Sequence, residues 1–246
     1  MTPLDSIREA VWQGRHACLR MAHRRALADY MPAVLEQQLR GRHINLVLDV
    51  GASRGQYARL VRRLGYDGEM VSFEPIPENV QLLRQQAVRR RGRWTIAPIT
   101  LGDREETLPF QVMAATEFSS FSAPSAYGRD TFPAGLAVAR IEQVAVRRLD
   151  AALSELVPGC ADRVVHLKVD TQGYDMRVLR GLGALAGTVR SLQIEVAFRK
   201  IYSEETGYRE ALAEVEALGF HLTGLWPVAR HASLHVIEAD CLFVRG

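Results

Sequence analysis

The chain has 246 residues, 48% of them hydrophobic, and a net charge of +3 from 31 basic and 28 acidic side chains. This length and hydrophobic content allow one α/β domain with a large core, and the charge is too mild to indicate a nucleic-acid partner. No apolar run approaches the roughly 20 residues of a membrane span, so we expect no membrane-spanning segment.

The N-terminal region predicts helices. Apolar residues at helical spacing run among many charges over residues 4–40, which predicts two amphipathic helices with a break near Gly14 or Pro32. The charges interrupt any apolar stretch of the signal-peptide kind, so we expect a cytoplasmic protein. The three cysteines are far apart and odd in number, which favours buried thiols over a disulfide framework or a zinc site.

Residues 46–55, LVLDVGASRG, form the most informative stretch of the chain. The apolar run predicts a strand buried on both faces, Gly51 permits a sharp turn, and a helical pattern begins at Gln56. A strand, a glycine turn and a helix N-terminus make a nucleotide-type pocket, in which we expect open backbone amides to face the crevice above the sheet.

The residues of this turn indicate which nucleotide fits. The dinucleotide fingerprint G-x-G-x-x-G lacks its first glycine here, and Asp49 stands two residues before Gly51. A carboxylate at this position repels a pyrophosphate but suits a ligand with an ammonium and a sulfonium and no phosphate. The turn therefore favours S-adenosylmethionine over NAD, with a purely structural turn as the alternative.

The next two predicted strands also end in acidic residues. The strand Met70 to Phe73 ends at Glu74, which is placed to accept two hydrogen bonds from a ribose diol, or alternatively to cap the helix predicted over 78–90. A third strand, Trp94 to Thr100, leads to Asp103. This tip lies beside the first two in a doubly wound sheet, so Asp103 either accepts from an adenine amino group or belongs to a surface turn.

The middle of the chain predicts an extra strand and a loop-rich segment. Thr107 to Met113 alternates like a strand, and Ser119 and Ser120 follow in a loop between aromatic residues. These serines either bind a cofactor or substrate or belong to an ordinary serine-rich loop. We interpret the region near 115–142 as an insertion or lid, followed by a short strand over 144–149.

The strand Val164 to Val169 ends at Asp170, at the edge where ligands bind in such sheets. Alternation places His166, Lys168 and Asp170 on one face. Asp170 is therefore the strongest candidate for chemistry, and we interpret Lys168 as the buried partner of an acid.

The C-terminal part predicts three more strands and a helix. The predicted strands are Leu192–Val196, His221–Trp226 and Cys241–Val244, and the predicted helix is Tyr208–Leu218. Glu195 lies near the tip of the first of these strands, and Asp240 directly precedes the last.

A series of segments carries a family resemblance. In chain order they are DVGASRGQY, FEPIPEN, LGD, EFSSF, VRRLD, LKVDTQGYDMRVLRG, LQIEVAFRKIYSEE, ALGFHL and ADCLFVR. Together they resemble the FkbM family of S-adenosylmethionine-dependent methyltransferases over residues 46–245. The KVDTQGYD segment, with IEVAF and DCLFV downstream, is the most specific part of the resemblance.

The resemblance implies a Rossmann-like class I methyltransferase domain over 43–246, preceded by an N-terminal helical segment over 1–42. The implied α/β fold has a seven-stranded, mostly parallel sheet with an antiparallel last strand. The implied reaction is methyl transfer to a hydroxyl of a sugar, a glycoside or a polyketide-type natural product.

The cofactor residues that we assign are Asp49, Gly51, Ala52, Ser53, Gly55, Tyr57, Glu74, Gly102, Asp103, Ser119, Ser120 and Asp170. By matching positions, the resemblance implies that the turn residues surround the methionine moiety, Glu74 the ribose, and Gly102 with Asp103 the adenine. Asp170 would face the methyl group and the acceptor.

Several alternatives stay open. Asp170 is the first candidate for a catalytic base, with Glu195 as a second catalytic candidate, and in a variant mechanism Asp170, Glu195 and Asp240 hold Mg²⁺. Alternatives of another class are an NAD-dependent oxidoreductase and a non-catalytic module that binds the cofactor, or binds RNA through the arginines of residues 84–93. We expect a small-molecule or glycan acceptor, and a homodimer is one option for the oligomeric state.

Overall fold

The computed structural model describes residues 30–89 and 92–246. In these ranges the strands are β1 (Leu46–Val50), β2 (Glu69–Phe73), β3 (Trp94–Ala97), β4 (Thr100–Gly102), β5 (Glu106–Met113), β6 (Val138–Arg148), β7 (Val165–Val169), β8 (Val189–Ala197), β9 (Phe220–Arg230) and β10 (Val236–Arg245). The helices are α1, described over 30–41, α2 (Gln56–Arg63), α3 (Pro77–Val88), α4 (Ala126–Thr131), α5 (Leu149–Leu156), α6 (Asp175–Arg180) and α7 (Tyr208–Ala217).

The main sheet has seven strands in the order β3-β2-β1-β7-β8-β10-β9. Neighbouring strands from β3 to β8 are parallel, whereas β10 runs antiparallel to both β8 and β9. The predicted Rossmann-like sheet with an antiparallel last strand is confirmed. The strand order reverses between β1 and β7, and ligands bind above the carboxyl ends of the strands at such a point.

A second sheet of three strands has the order β4-β6-β5. The prediction of one strand from Trp94 to Thr100 is wrong, because β3 ends at Ala97 and Thr100 begins β4 in the second sheet. Pro98 lies between the two strands, and its missing N–H ends the ladder of β3. The strand predicted over 144–149 is in fact the last part of the longer β6.

Strand β1 is buried on both faces, as predicted. On one face, Leu46 and Leu48 join the largest hydrophobic core. On the other, Val47 packs with Leu35 of α1 and Val61 of α2. The predicted N-terminal helices before residue 30, and the break near Gly14, lie outside the described residues.

The segment between β5 and β6 is packed onto the rest of the protein. Leu136 forms a small core with Ile201, Tyr202 and Ile237, which lie in or beside the main sheet. The segment contains α4 and lies within the range that we interpret as an insertion or lid. Within residues 30–89 and 92–246, no helix has the length and apolar character needed to cross a membrane.

Candidate active site

The turn after β1 brings the ends of β1 and β7 close together. Gly51 has a left-handed φ of 75°, and a Cβ atom added to it would lie 1.8 Å from the carbonyl oxygen of Asp170. Only glycine fits this contact and this backbone conformation. Ser53 also has a positive φ of 47°, which is uncommon for a residue with a side chain and is typical of functional turns.

The backbone amides of this turn are already bonded within the protein. Gly51 and Ala52 both donate to the carbonyl oxygen of Phe73 at 3.1 Å, and the Ser53 amide donates to a carboxylate oxygen of Glu74 at 2.7 Å. The expectation of open amides is therefore wrong for these three residues. These three N–H groups bond the turn after β1 to the end of β2. A ligand at the turn would therefore contact its side chains and its surface, and not these N–H groups.

Glu74 lies at the tip of β2, where the sequence placed it, and its side chain is 4% exposed. Its Oε1 atom accepts from the Ile76 amide at 3.0 Å and from Asn79 at 3.3 Å, while Ser53 is the one donor to Oε2 among the described residues. Burial raises the pKa of Glu74 to about 7, against the lowering effect of these bonds. Since a carboxylate oxygen accepts up to two hydrogen bonds, Oε2 keeps one acceptor position.

A cavity that we call the inner cavity lies between the carboxyl ends of β1, β2 and β4. Glu74 lines it together with the apolar side chains of Ile76, Leu101, Phe110 and Phe121. The flat apolar walls suit an aromatic base, and the carboxylate suits a group with hydroxyl donors.

Three side-chain hydroxyls at the inner cavity have no hydrogen-bond partner within residues 30–89 and 92–246. They belong to Ser53, Thr116 and Thr171, and all three are buried. Buried polar atoms are normally bonded, so these hydroxyls indicate a polar ligand. Apolar walls, Glu74 and unpartnered hydroxyls together fit a nucleoside.

The other residues assigned to the cofactor lie in different surroundings. Ser119 lines the inner cavity, but its Oγ accepts from the Met113 amide at 3.1 Å. Ser120 is fully buried and donates to the Gln172 carbonyl oxygen at 2.6 Å. Gly102 and Asp103 do not line the cavity, and Asp103 lies 3.8 Å from the Arg177 guanidinium instead. Their adenine role stays a prediction.

A second space, the acidic cleft, opens on the other side of the Gly51 turn. Its acidic lining consists of Asp170 from β7, Glu195 from β8, and Glu238 and Asp240 from β10, with Glu117 at the edge. Ala52, Tyr57, Lys168 and Gln193 line it as well. The inner cavity and the acidic cleft meet at five shared lining residues, which are Gly51, Ser53, Glu117, Asp170 and Gln172.

Lys168 lies between the carboxylates of Asp49 and Asp170. Its ammonium is 3.4 Å from Asp49, 3.4 Å from Asp170 and 3.1 Å from the Gly51 carbonyl oxygen. Burial alone would lower the pKa of Lys168, but the charges of Asp170 and Asp49 raise it above its usual value. The predicted pairing of Lys168 with an acid is confirmed, and Lys168 stays charged.

Asp170 is held from both sides but stays partly accessible. Gln172 donates from its amide nitrogen to Asp170 Oδ1 at 2.8 Å and lies 3.5 Å from Glu195. Gln172 has a positive φ of 54°, and the hydroxyl of Tyr202 lies 2.9 Å from its amide oxygen. The Asp170 side chain is 38% exposed. This arrangement fixes a solvent-accessible carboxylate at the junction of the two spaces.

The remaining carboxyl groups of the cleft have elevated pKa values. Burial and the charge of Asp170 raise the pKa of Glu195 well above its usual value. Burial raises the pKa of Glu238 to about 8, with further contributions from Glu205 and Asp170. Burial also raises the pKa of Asp240 to about 6. Burial and the neighbouring carboxylates therefore favour the protonated forms of these three carboxyl groups.

Tyr57 lines the acidic cleft, and its hydroxyl lies 2.6 Å from His166 Nε2. The other ring nitrogen of His166 lies 2.7 Å from Ser191 Oγ, which donates to Gln38 of α1 at 2.6 Å. Burial lowers the pKa of His166 to about 3, so the ring is neutral. This chain of bonds fixes Tyr57 at the cleft.

The magnesium variant gains no support. In the part of the chain that the structure describes, no group of three or more His, Cys, Asp and Glu side chains is disposed to hold a metal ion. Asp170 and Glu195 contact the same Gln172 amide, and Asp240 accepts from Gln193 at 3.2 Å. The nearest partners of the three proposed ligands are thus protein donors.

Glu238 and Gln193 line the acidic cleft but were not among the predicted site residues. Both lie on the same face of the sheet as Asp240 and Glu195, because side chains alternate along a strand. Glu238 was missed because the last strand was predicted to begin at Cys241, whereas β10 begins at Val236. Alternation around Asp240 was the signal that could have found it.

Sequence comparison gives one family. The family model described as the methyltransferase FkbM domain matches residues 49–222. A comparison with curated protein sequences gave no significant match.

Comparison of folds gives many solved structures with low sequence identity. Magnesium protoporphyrin IX methyltransferase from Synechocystis PCC 6803, with bound S-adenosylmethionine, is 10% identical with a TM-score of 0.47, over 90% of this chain and 81% of that chain. The 1,6-didemethyltoxoflavin-N1-methyltransferase of Burkholderia thailandensis, with its substrate and S-adenosylhomocysteine, is 12% identical with a TM-score of 0.47, over 95% of this chain and 89% of that chain.

Proposed function

The chain belongs to the FkbM methyltransferase family, and on this premise we propose that it transfers a methyl group from S-adenosylmethionine to a hydroxyl of a sugar, a glycoside or a polyketide-type natural product. One observation carries this proposal. Asp170, at the end of β7, borders both the inner cavity and the acidic cleft, so its carboxylate faces the space for a nucleoside and the space for an acceptor. Glu117 borders both spaces too, but it is an exposed residue of the segment between β5 and β6.

The inner cavity accounts for the adenosine part of the cofactor. Ile76 and Phe121 would flank the adenine ring, and Glu74 would accept from a ribose hydroxyl through its free Oε2 position. The hydroxyls of Ser53 and Thr171 would gain the partners that they lack in the protein alone. The methionine part would then pass over Gly51 towards the acidic cleft, where negative charge favours its ammonium.

The bound cofactor supplies an electrophilic methyl group on a positively charged sulfur. Transfer is an in-line displacement, so the main task of the protein is to hold the acceptor oxygen close to the methyl carbon and opposite the sulfur. The cleft walls hold the acceptor, and the turn at Gly51 sets the distance between the two spaces.

Asp170 would take the proton of the acceptor hydroxyl as the new carbon–oxygen bond forms. A sugar hydroxyl is a weak nucleophile at neutral pH, so removal of its proton in the transition state helps the reaction. Lys168 and Gln172 position the carboxylate and leave part of it accessible. Glu195, on the next strand, lies beside the same Gln172 amide and would support the acceptor or share the proton.

The test is acceptor-dependent release of S-adenosylhomocysteine. The purified full chain is incubated with S-adenosylmethionine and panels of glycosides and macrolides, and the product is sought by mass spectrometry as a mass gain of one methyl group. Calorimetric titration with S-adenosylhomocysteine and with NAD is the accompanying control. Binding of NAD and not of S-adenosylhomocysteine would refute the proposal, and methylation at nitrogen would refute its oxygen specificity.

A further inference from the structure

Glu238 is a buried carboxylate without a partner. Its side chain is 8% exposed and lines the acidic cleft. Among the described residues, none donates a hydrogen bond to its carboxylate and no cation pairs with it. Burial without a partner favours the protonated form of such a group, and a cationic ligand in the cleft would stabilise its ionised form.

The groups around Glu238 are acceptors as well. Asp240 and Glu195 lie directly opposite each other in the pairing of β10 with β8. The amide oxygen of Gln193, a residue that is 3% exposed, also has no hydrogen-bond partner. Two cations of the described residues line this cleft: Arg63 is exposed, and Lys168 is already engaged by Asp49, Asp170 and Gly51. Acceptor groups thus dominate the wall of the cleft formed by β8 and β10, and this wall suits a positively charged ligand with several hydrogen-bond donors.

We infer that the acceptor carries a protonated amine beside its reactive hydroxyl, as in an amino sugar or an aminocyclitol, and that Glu238 and Asp240 bind this ammonium group. The inference rests on the proposed function and narrows its acceptor class. The ammonium anchored at β10 turns the neighbouring hydroxyl towards Asp170, on the near side of the same cleft. A neutral sugar of the same shape would leave Glu238 buried and unpaired. The wall therefore favours an amine-bearing acceptor over a neutral one.

The ammonium of the cofactor is the other source of this chemistry. If Glu238 served the cofactor, its neutralisation would weaken S-adenosylhomocysteine as strongly as it weakens an amine acceptor. If Glu238 binds the acceptor, its neutralisation weakens the amine acceptor and leaves the affinity for S-adenosylhomocysteine nearly unchanged. The experiment therefore measures both ligands on the same variants.

Methyl α-D-glucosaminide and methyl α-D-glucoside are titrated into the full chain saturated with S-adenosylhomocysteine, and dissociation constants are measured by calorimetry or by ligand-observed NMR. We expect the amine to bind about ten-fold tighter or more, the range of one charge-assisted hydrogen bond. Glu238→Gln should abolish this preference and leave S-adenosylhomocysteine affinity within about two-fold. Asp240→Asn is a second variant with the same expected direction.

Glu216→Gln, on the exposed face of α7, removes the same charge away from the cleft and should change neither affinity. Equal binding of the two probes, binding of neither probe, or an amine preference that survives in Glu238→Gln would overturn the inference. An equal loss of S-adenosylhomocysteine affinity would assign Glu238 to the cofactor and overturn it too. If the wild-type chain binds no S-adenosylhomocysteine, the proposed function itself fails.

Discussion

The ammonium of Lys168 lies 3.4 Å from a carboxylate oxygen of Asp49, which is fully buried. From the sequence, the carboxylate of Asp49 was predicted to favour a cationic ligand at the turn. Because Lys168 lies beside it, this pair contributes little net charge to the ligand site. The carboxyl groups that a cationic ligand would ionise and pair with are instead those of Glu195, Glu238 and Asp240 on the neighbouring strands.

Replacement of Lys168 should destabilise the protein. Lys168→Met leaves Asp49 buried without a cation, and breaking a buried pair from one side costs about 3–5 kcal/mol. Denaturant unfolding of the variant measures this loss. The double variant Asp49→Asn with Lys168→Met should recover a large part of it, since no unpaired charge is left. If the two losses simply add, the two side chains are not coupled.

Gly51→Ala should disrupt the turn. The added Cβ would lie 1.8 Å from the Asp170 carbonyl oxygen, and φ at this position is 75°. Relieving the clash must shift the end of β7, so we expect both a loss of stability above about 2 kcal/mol and a loss of S-adenosylhomocysteine binding. Gly41→Ala is the matched control, because nothing lies within 4 Å of its added Cβ. A Gly51→Ala variant as stable as the control would contradict the tight contact.

The central strands of the main sheet could be predicted from the sequence because apolar residues dominate them, and residues 46–50 and 165–169 are buried at every position. The number of strands and the antiparallel last strand were implied by the family resemblance and not by the local pattern. The boundary near Pro98 was wrong because residues on both sides of it favour strands, and only the pairing shows that they belong to different sheets.

The acidic cleft could not be predicted in full. Asp170 and Glu195 end apolar strands and are visible in the sequence. Alternation around Asp240 indicates the face of the last strand on which Glu238 lies. The pairing of Asp240 with Glu195, which brings that face to the cleft, is a long-range contact that no local pattern shows. The inner cavity is also lined by Thr116, which comes from the packed segment between β5 and β6. Its position beside the ends of the strands is likewise a long-range contact that no local pattern shows.

Glu74→Gln should weaken S-adenosylhomocysteine binding about ten-fold or more, because an ionised acceptor for a ribose hydroxyl is lost. The pKa of Glu74 is raised to about 7, so its carboxylate ionises as pH rises from 6 to 8. Affinity of the wild-type chain should therefore rise over this interval, and the variant should lack this increase. Glu78→Gln, an exposed change at the start of the following helix, is the control. The same pH dependence in Glu74→Gln and the wild type would exclude Glu74 as the titrating group.

Asp170→Asn should lose most turnover and keep cofactor binding. General base catalysis contributes about a hundred-fold or more to the rate, and the amide cannot accept the proton. Gln172 and Lys168 lie in the same places around the nearly isosteric side chain, so we expect S-adenosylhomocysteine affinity to change by less than about five-fold. Single-turnover methyl transfer measures the first quantity and calorimetry the second. Asp162→Asn, an exposed change, controls for the loss of charge. Turnover close to that of the wild type would remove Asp170 from catalysis.

Glu238 should make stability depend on pH. The pKa of Glu238 in the folded chain is about 8, raised from 4.5 chiefly by burial. The charged groups that face it are Glu195, Asp170, Asp175, Asp240 and Glu205. The folded state binds the proton more tightly than the unfolded state, so the stabilising contribution is complete below pH 4.5 and is lost as pH rises towards 8. The slope is at most about 1.4 kcal/mol per pH unit for one group.

Glu238→Gln removes this titration, so the variant should become progressively more stable than the wild type between pH 5 and pH 8 in urea unfolding. The control Glu216→Gln should differ from the wild type by a constant amount over the same interval, since its side chain is exposed. A difference between Glu238→Gln and the wild type that stays constant or shrinks with rising pH would show that Glu238 is ionised and stabilised in the free protein. Its carboxylate would then already have a partner, and the cleft would have no need of an ammonium from a ligand.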